Sequence, residues 1–352
     1  MGASNGRSAG APGGRRGGLG VASGNGGAGS ARRAGGAAGG SAHRALVSAL
    51  TTIADDDRVA RAQEAVREAS AELRWHEALR RRWREARAEA AIRGAIASGA
   101  IEGALVSAPE LRERVAAGGL DRPLSGDPSL DAVAGIWRAG ARLAGFMADL
   151  RGQSRPAEPS PRSLLTSLHR DIAGPLAASG AIGLDEVAVP RTALPGGTPS
   201  SGGTGSAGEP EALGAAPREG GPGPAPQGQA LAERLDALLA IIAAPGVPAL
   251  VRAAVVHGEM IAMRPFTAGN AALGRLLVRH LITRDGLEPT GVAVPDAYAR
   301  RAPGAYSDAA AAYARGDAEG VITWTVWQAE AILVGITEGA ELCRAIQAGR
   351  AE

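Results

Sequence analysis

The chain contains no lysine: all 38 of its basic residues are arginine. That absence removes any Schiff-base lysine and any phosphate-loop lysine. Cysteine is nearly absent too. Cys343 stands alone, which excludes an intramolecular disulfide and a cysteine-built zinc site, and it reads as a small buried residue. No run of 18 apolar residues occurs, so no membrane span is expected. Residues 1–43 hold no acid, and no apolar stretch follows their Arg pairs; neither a secretory nor a twin-arginine signal is expected. Net charge over 352 residues is +2, which gives no global electrostatic reason to bind nucleic acid. A cytoplasmic location and no membrane partner are the expectations.

What is present is mostly helical patterning. Residues 1–43 read as a disordered Arg/Gly-rich tail, 44–160 as an N-terminal helical region and 161–348 as the main core. A Pro-, Gly-, Ser- and Ala-rich stretch at 193–228 reads as a disordered insertion in that core. Order is expected from about Asp55-Asp56-Asp57, whose acids suit a helix start. Val59, Val66 and Leu73 recur at seven, and a long amphipathic helix to about residue 104 with at most one break follows. Further helices are expected after Ser107-Ala108-Pro109, over about 131–151 and over about 162–178. Residues 184–190 alternate as a short strand or flap. Leu231, Leu235, Leu238, Leu239 and Ile242 share one helix face; Pro245-Gly246 ends that helix and Pro248 opens the next, to about 262. Helices over 270–284 and about 317–348 complete an all-α fold, with Trp324 and Trp327 as core and rim of the last.

The stretch from Arg264 to Arg275, Arg-Pro-Phe-Thr-Ala-Gly-Asn-Ala-Ala-Leu-Gly-Arg, is the most informative in the chain. Gly269-Asn270 can turn sharply and offer backbone N–H groups to an anion at a helix N-terminus. An ordinary turn with Asn as a cap is the other reading. No general base and no metal ligand lie between Arg264 and Arg275.

With its flanking helices, this stretch resembles the loop of the Fic (Fido) family, HPFxxGNGRxxR with an acid at the second x. Pro265, Phe266, Gly269, Asn270 and Arg275 match. Arg264 stands in the His position, Ala268 in the acid's, Ala271 in that of the second Gly and Ala272 in that of the first Arg. The likeness covers about 164–343 and extends more weakly over 55–163. A second match lies upstream. Ser98-Gly99-Ala100-Ile101-Glu102-Gly103 fits the family's inhibitory helix, which has Ser or Thr, three residues of any kind, Glu, then Gly or Asn. The resemblance implies a Fic-type helical bundle with a short β-flap.

Family members move a nucleoside monophosphate, usually AMP from ATP, onto a protein hydroxyl. The resemblance implies a nucleotide-binding role for Gly269, Asn270 and Arg275, and an inhibitory role for Ser98, Glu102 and Gly103. In the family that Glu pairs with the last Arg of the loop and keeps ATP from binding productively. ATP and Mg²⁺ are the implied cofactors, weakly held or absent in this chain. Arg264 cannot be a general base, because a guanidinium has a pKa above ~12. Losing the base costs ~10²–10⁴-fold in rate. Ala268 removes the metal ligand and Ala272 a phosphate clamp. His257 is about 10 Å upstream by helical rise, and His280 lies beyond the loop on the next helix. Arg275 remains either a phosphate ligand or a structural partner of Glu102.

The expectation is a Fic-fold protein with impaired AMP transfer that acts through an unknown protein partner. An active divergent transferase using other residues is the alternative. A non-catalytic helical protein touching nucleic acid through its Arg tail is the third reading.

Overall fold

Val59, Val66 and Leu73 bury one stripe, and the next buried apolar positions are Ala78, Leu79 and Trp83. A straight continuation by sevens would turn Arg80 inward instead of Leu79. The chain resolves this by breaking twice. Helices α2 (Asp57–Arg74), α3 (Glu77–Arg81) and α4 (Trp83–Ile101) replace the single long helix expected. His76 sits at the first break, and its Nδ1 accepts the Ala78 N–H at 3.2 Å as the cap of α3.

The computed structural model describes residues 44–117, 124–152, 156–192 and 224–350. The expected tail at 1–43, and residues 193–223 of the expected insertion, lie outside the described residues. Residues 224–227 lead straight into a helix at Gly228. Helix also starts before the Asp triplet: α1 covers Arg44–Ala54 and sets Leu50 into the core. After α4 come α5 (Ala108–Ala116), α6 (Pro128–Ala144), α7 (Pro161–Ala178), α8 (Gly228–Ala243) and α9 (Ala249–Met263). Then follow α10 (Asn270–Arg284), α11 (Asp296–Arg301), α12 (Pro303–Ala314) and α13 (Ala318–Gln347). The residues between 285 and 316, unassigned from sequence, thus hold two short helices.

Local chemistry sets many of the helix starts. Ser107 and Glu110 form a reciprocal capping box on α5. Asp127, Ser160 and Asp317 cap α6, α7 and α13 by accepting backbone N–H groups of the first turn. The helix over 131–151 stops early, at Ala144. Gly145 N–H turns back to Arg142 O at 3.1 Å, and Arg87 on α4 draws in Ala148 O at 2.9 Å. The expected β-flap is not a strand. Leu184–Glu186 is a single 3₁₀ turn, and no strand occurs among the described residues. Glu186 Oε2 accepts the Gly183 N–H at 2.6 Å and closes the turn, and Ala188 at φ 63° ends any extended run.

The centre of the bundle is the α9–α10 pair, with α6 against α7 and α4. α13 runs along the bundle and packs on α2, α9, α11 and α12. The N-terminal helices and the later ones therefore share one core. α13 is long and apolar enough to cross a membrane by length and composition alone, but 61% of its most apolar window is buried within the bundle. Its Trp324 is fully buried, stacks on Trp327 at 5.0 Å and 13°, and donates its indole N–H to Ala254 O at 2.6 Å.

Beside Trp324 lies His257. Its Nδ1 donates to Gln328 Oε1 at 2.8 Å and its Nε2 accepts from the Tyr306 hydroxyl at 3.1 Å. Both ring nitrogens are thus satisfied in the neutral form. Burial, with the nearby Arg275 charge adding to it, pulls its pKa down to about 3. The neutral imidazole contributes stability that is complete above the ordinary histidine value and is lost as pH falls toward 3. Unfolding free energy from urea titration is expected to drop by a few kcal/mol between pH 7 and pH 4, because each tenfold change in a protonation equilibrium is worth ~1.4 kcal/mol. His257→Gln should reduce that dependence; an unchanged slope would show that His257 carries no part of it.

Candidate functional site

α9 runs into the loop and α10 leaves it. Arg264 caps α9 in the left-handed region, at φ 45° and ψ 65°. A non-glycine residue there stores ~1–3 kcal/mol of strain unless its surroundings fix it. Arg191 fixes it. Its Nε donates to Arg264 O at 2.7 Å, and its Nη2 donates to Met263 O at 3.0 Å and Pro226 O at 3.3 Å. Its backbone N–H reaches Pro265 O at 2.8 Å. Burial lowers the pKa of Arg264, and burial together with the Arg264 charge lowers that of Arg191. Sequence reasoning missed Arg191, because no local pattern distinguishes it from the other arginines.

The loop interior is held by two further residues. Asn270 Oδ1 accepts the Phe266 N–H and its Nδ2 donates to Phe266 O, both at 2.9 Å. The side-chain amide thus closes the loop on its own backbone. Phe266 stacks on His169 of α7 with centroids 3.9 Å apart and planes at 11°. His169 Nδ1 accepts the Ala188 N–H at 2.8 Å, so the ring proton sits on Nε2 and donates to Ala268 O at 3.1 Å. One imidazole therefore ties the loop to the 184–190 segment. Burial pulls its pKa down to about 4. Gly269 adopts φ 71°, and a Cβ there would meet Ile172 Cγ2 at 2.8 Å; only glycine suits that turn. His169 escaped the sequence reading because it lies about a hundred residues from the loop and carries no motif of its own.

Arg275, two turns along α10, is the most enclosed charge of the site at 5% exposure. Its Nη2 lies 2.6 Å from Glu102 Oε1, and its Nε donates to Ser98 Oγ at 2.8 Å. Nη2 also reaches Ser98 O at 3.2 Å, and Nη1 reaches the Tyr306 hydroxyl at 3.4 Å. Asp296 Oδ1 of α11 stands 3.4 Å from Nε. Burial works against the guanidinium charge, but Glu102, Tyr306 and Asp296 outweigh it and raise the pKa. Glu102 is presented by the end of α4. Gly103 at φ 88° stops that helix, with Ala104 N–H to Gly99 O at 2.9 Å and Gly103 N–H to Ala100 O at 3.2 Å. These two bonds are a Schellman cap. The Ser98, Glu102 and Gly103 pattern thus has a local meaning: a helix end that delivers a hydroxyl and a carboxylate to one guanidinium.

The alanines at 268 and 272 are buried. Ala268 is 5% exposed and Ala272 is 0% exposed, packed into the core. Ala268 offers no side-chain oxygen to a cation, and its carbonyl is engaged by His169. These residues do not fit the Mg²⁺ of a transfer site. Two cavities reach Arg275, each of about 10 Å³, room for one water at most. One carboxylate does touch the loop: Glu186 Oε1 accepts from Thr267 Oγ1 at 2.9 Å. His257 contacts the site through Tyr306, and His280 turns away to Glu158 at 3.5 Å.

No family model matches the chain, and no curated protein does. Solved structures match its shape. Fic-1 from C. elegans overlays with a TM-score of 0.52 at 17% identity, covering 83% of this chain and 74% of that one. A single-residue variant of the same fragment gives 0.52 at 18%, covering 82% and 72%. A Fic family protein from Desulfovibrio desulfuricans G20 overlaps at a TM-score of 0.49 and 19% identity, over 72% of this chain and 66% of that one. At these identities the overlays show the fold: the described helices form an all-helical, Fic-like arrangement.

Proposed function

We propose that this chain is a Fic-fold protein whose AMP-transfer site is catalytically impaired, and that it acts by binding a protein partner. The observation that carries this is what occupies the loop. In adenylyl transfer a protein hydroxyl attacks the α-phosphorus of ATP, pyrophosphate leaves, and a base removes the hydroxyl proton. Arg264 in the base position cannot take that proton at neutral pH. Ala268 and Ala272, in the acid and first-Arg positions, are buried in the packed interior. Arg275, the arginine that matches the family pattern, is already held by Glu102, Ser98 and Asp296.

One observation favours the alternative of a divergent transferase. Glu186 places a carboxylate on Thr267, next to the acid position. The two readings separate in one assay. Purified protein with labelled ATP and Mg²⁺ or Mn²⁺ is expected to transfer no AMP to itself or to lysate proteins, and Glu102→Gly leaves this unchanged. Calorimetry should show no micromolar ATP binding in either form. Transfer that disappears in Glu186→Gln would overturn the impaired reading.

The Arg275 cluster makes a second prediction, about stability. Arg275→Met leaves Glu102 and Asp296 buried without their shared guanidinium, and breaking such a cluster costs ~3–5 kcal/mol. Glu102→Gln keeps a hydrogen-bond acceptor and leaves Asp296 as counter-charge, so the expected loss is only about 1–2 kcal/mol. Urea unfolding measures both. Equal losses would mean that Asp296 does not share the charge.

A further inference from the structure

The two small cavities that reach Arg275 also share Asp296 in their walls, and each measures about 10 Å³. That is close to the least space that holds one water molecule. His257, Trp327 and Gln328 complete the polar lining of the first. Gly94, Ser98 and Arg279 border the second.

Each lining contains a buried N–H group in need of an acceptor. Trp327 is 7% exposed and Arg279 is 8% exposed. The Trp327 Nε1 and the Arg279 Nε are shielded from solvent and have no hydrogen-bond partner among the described residues. Arg279 uses its Nη2 on Gly291 O at 2.9 Å, which leaves the Nε–H over. Native interiors rarely leave a buried donor uncompensated.

Asp296 has acceptor capacity to match. Its donors are the Ser98 hydroxyl and its own backbone N–H, with Arg275 Nε at a long 3.4 Å. A carboxylate can accept about four hydrogen bonds. The charges around the cavities cancel. Arg275 meets Glu102 at 2.6 Å, and Arg279 lies in the fields of Asp296 and Glu288. Neither cavity therefore selects an ion. The chemistry suits a neutral molecule that accepts one N–H and donates to a carboxylate, and at this volume that molecule is water.

We propose that each cavity is a binding site for one structural water, the first bridging Trp327 Nε1 to Asp296 and the second bridging Arg279 Nε to Asp296. Each water then has the two polar partners that an internal water needs. The two sites complete the hydrogen bonding of the buried carboxylate, and they hold whether or not the loop transfers AMP.

The test is a crystal structure of the full chain, with a second crystal soaked in sodium bromide. One ordered water is expected in each cavity, within hydrogen-bond distance of Trp327 Nε1 in the first and of Arg279 Nε in the second. No anomalous bromide peak is expected in either. Gly94→Ala supplies a test in solution. A Cβ at Gly94 would stand 3.6 Å from Arg279 Nη1, an ordinary contact, and alanine is the better helix former. If the space held nothing, the added methyl would raise the melting temperature. If the methyl displaces a water, Arg279 Nε loses its acceptor, and the melting temperature is expected to fall. The proposal is overturned by a cavity without density, by a bromide peak in either one, or by a Gly94→Ala chain that melts above the wild type.

Discussion

A guanidinium buried on α10 can be kept only if several elements come to it. Arg275 takes a hydroxyl and a carboxylate from α4, a second carboxylate from α11 and a phenol from α12. An uncompensated charge at that depth would cost several kcal/mol. The pairing therefore constrains more than one contact. α4 must end where Gly103 ends it, so that Glu102 arrives beside the guanidinium. α11 must start at Asp296. Tyr306, which meets Arg275, also bonds His257, so the constraint passes into the aromatic cluster around Trp324.

The loop between α9 and α10 keeps its shape by means that need no substrate. Asn270 spends its whole amide on Phe266, His169 bridges Ala268 and Ala188, and Arg191 gathers the carbonyls at the end of α9. Each of these bonds satisfies a backbone group that the turn would otherwise leave without a partner. The left-handed Arg264 and Gly269 are tolerated for the same reason. A loop braced in this way retains its geometry whether or not an acid, a second glycine or a second arginine is present.

Much of this was legible in the sequence because it is local. The start of the helix after Ser107-Ala108-Pro109, the helix over Asn270–Arg284 and the end at Pro245-Gly246 follow from residues within one turn of the boundary. What was not legible is long-range. The break before α3 depends on which of Leu79 and Arg80 faces a core that other helices build. The supposed strand at 184–190 failed because alternation in a short segment does not supply a partner strand. At the site, the motif residues were visible by spacing. Arg191, His169 and Asp296 were not, since each acts across a long stretch of chain, or from another helix, on an atom the sequence does not display.

The positions of the loop divide by direction. Those that brace it, Gly269, Asn270 and Arg275, are glycine, amide and guanidinium, and each has contacts that depend on its identity. Those where the family pattern places an acid and an arginine, 268 and 272, are alanine and are enclosed by neighbouring side chains. A methyl group at 272 with 0% exposure is part of the core, so a charged side chain placed there would be a buried ion. The geometry of the loop does not depend on a ligand for this physical reason: the interactions that hold it are internal to the protein.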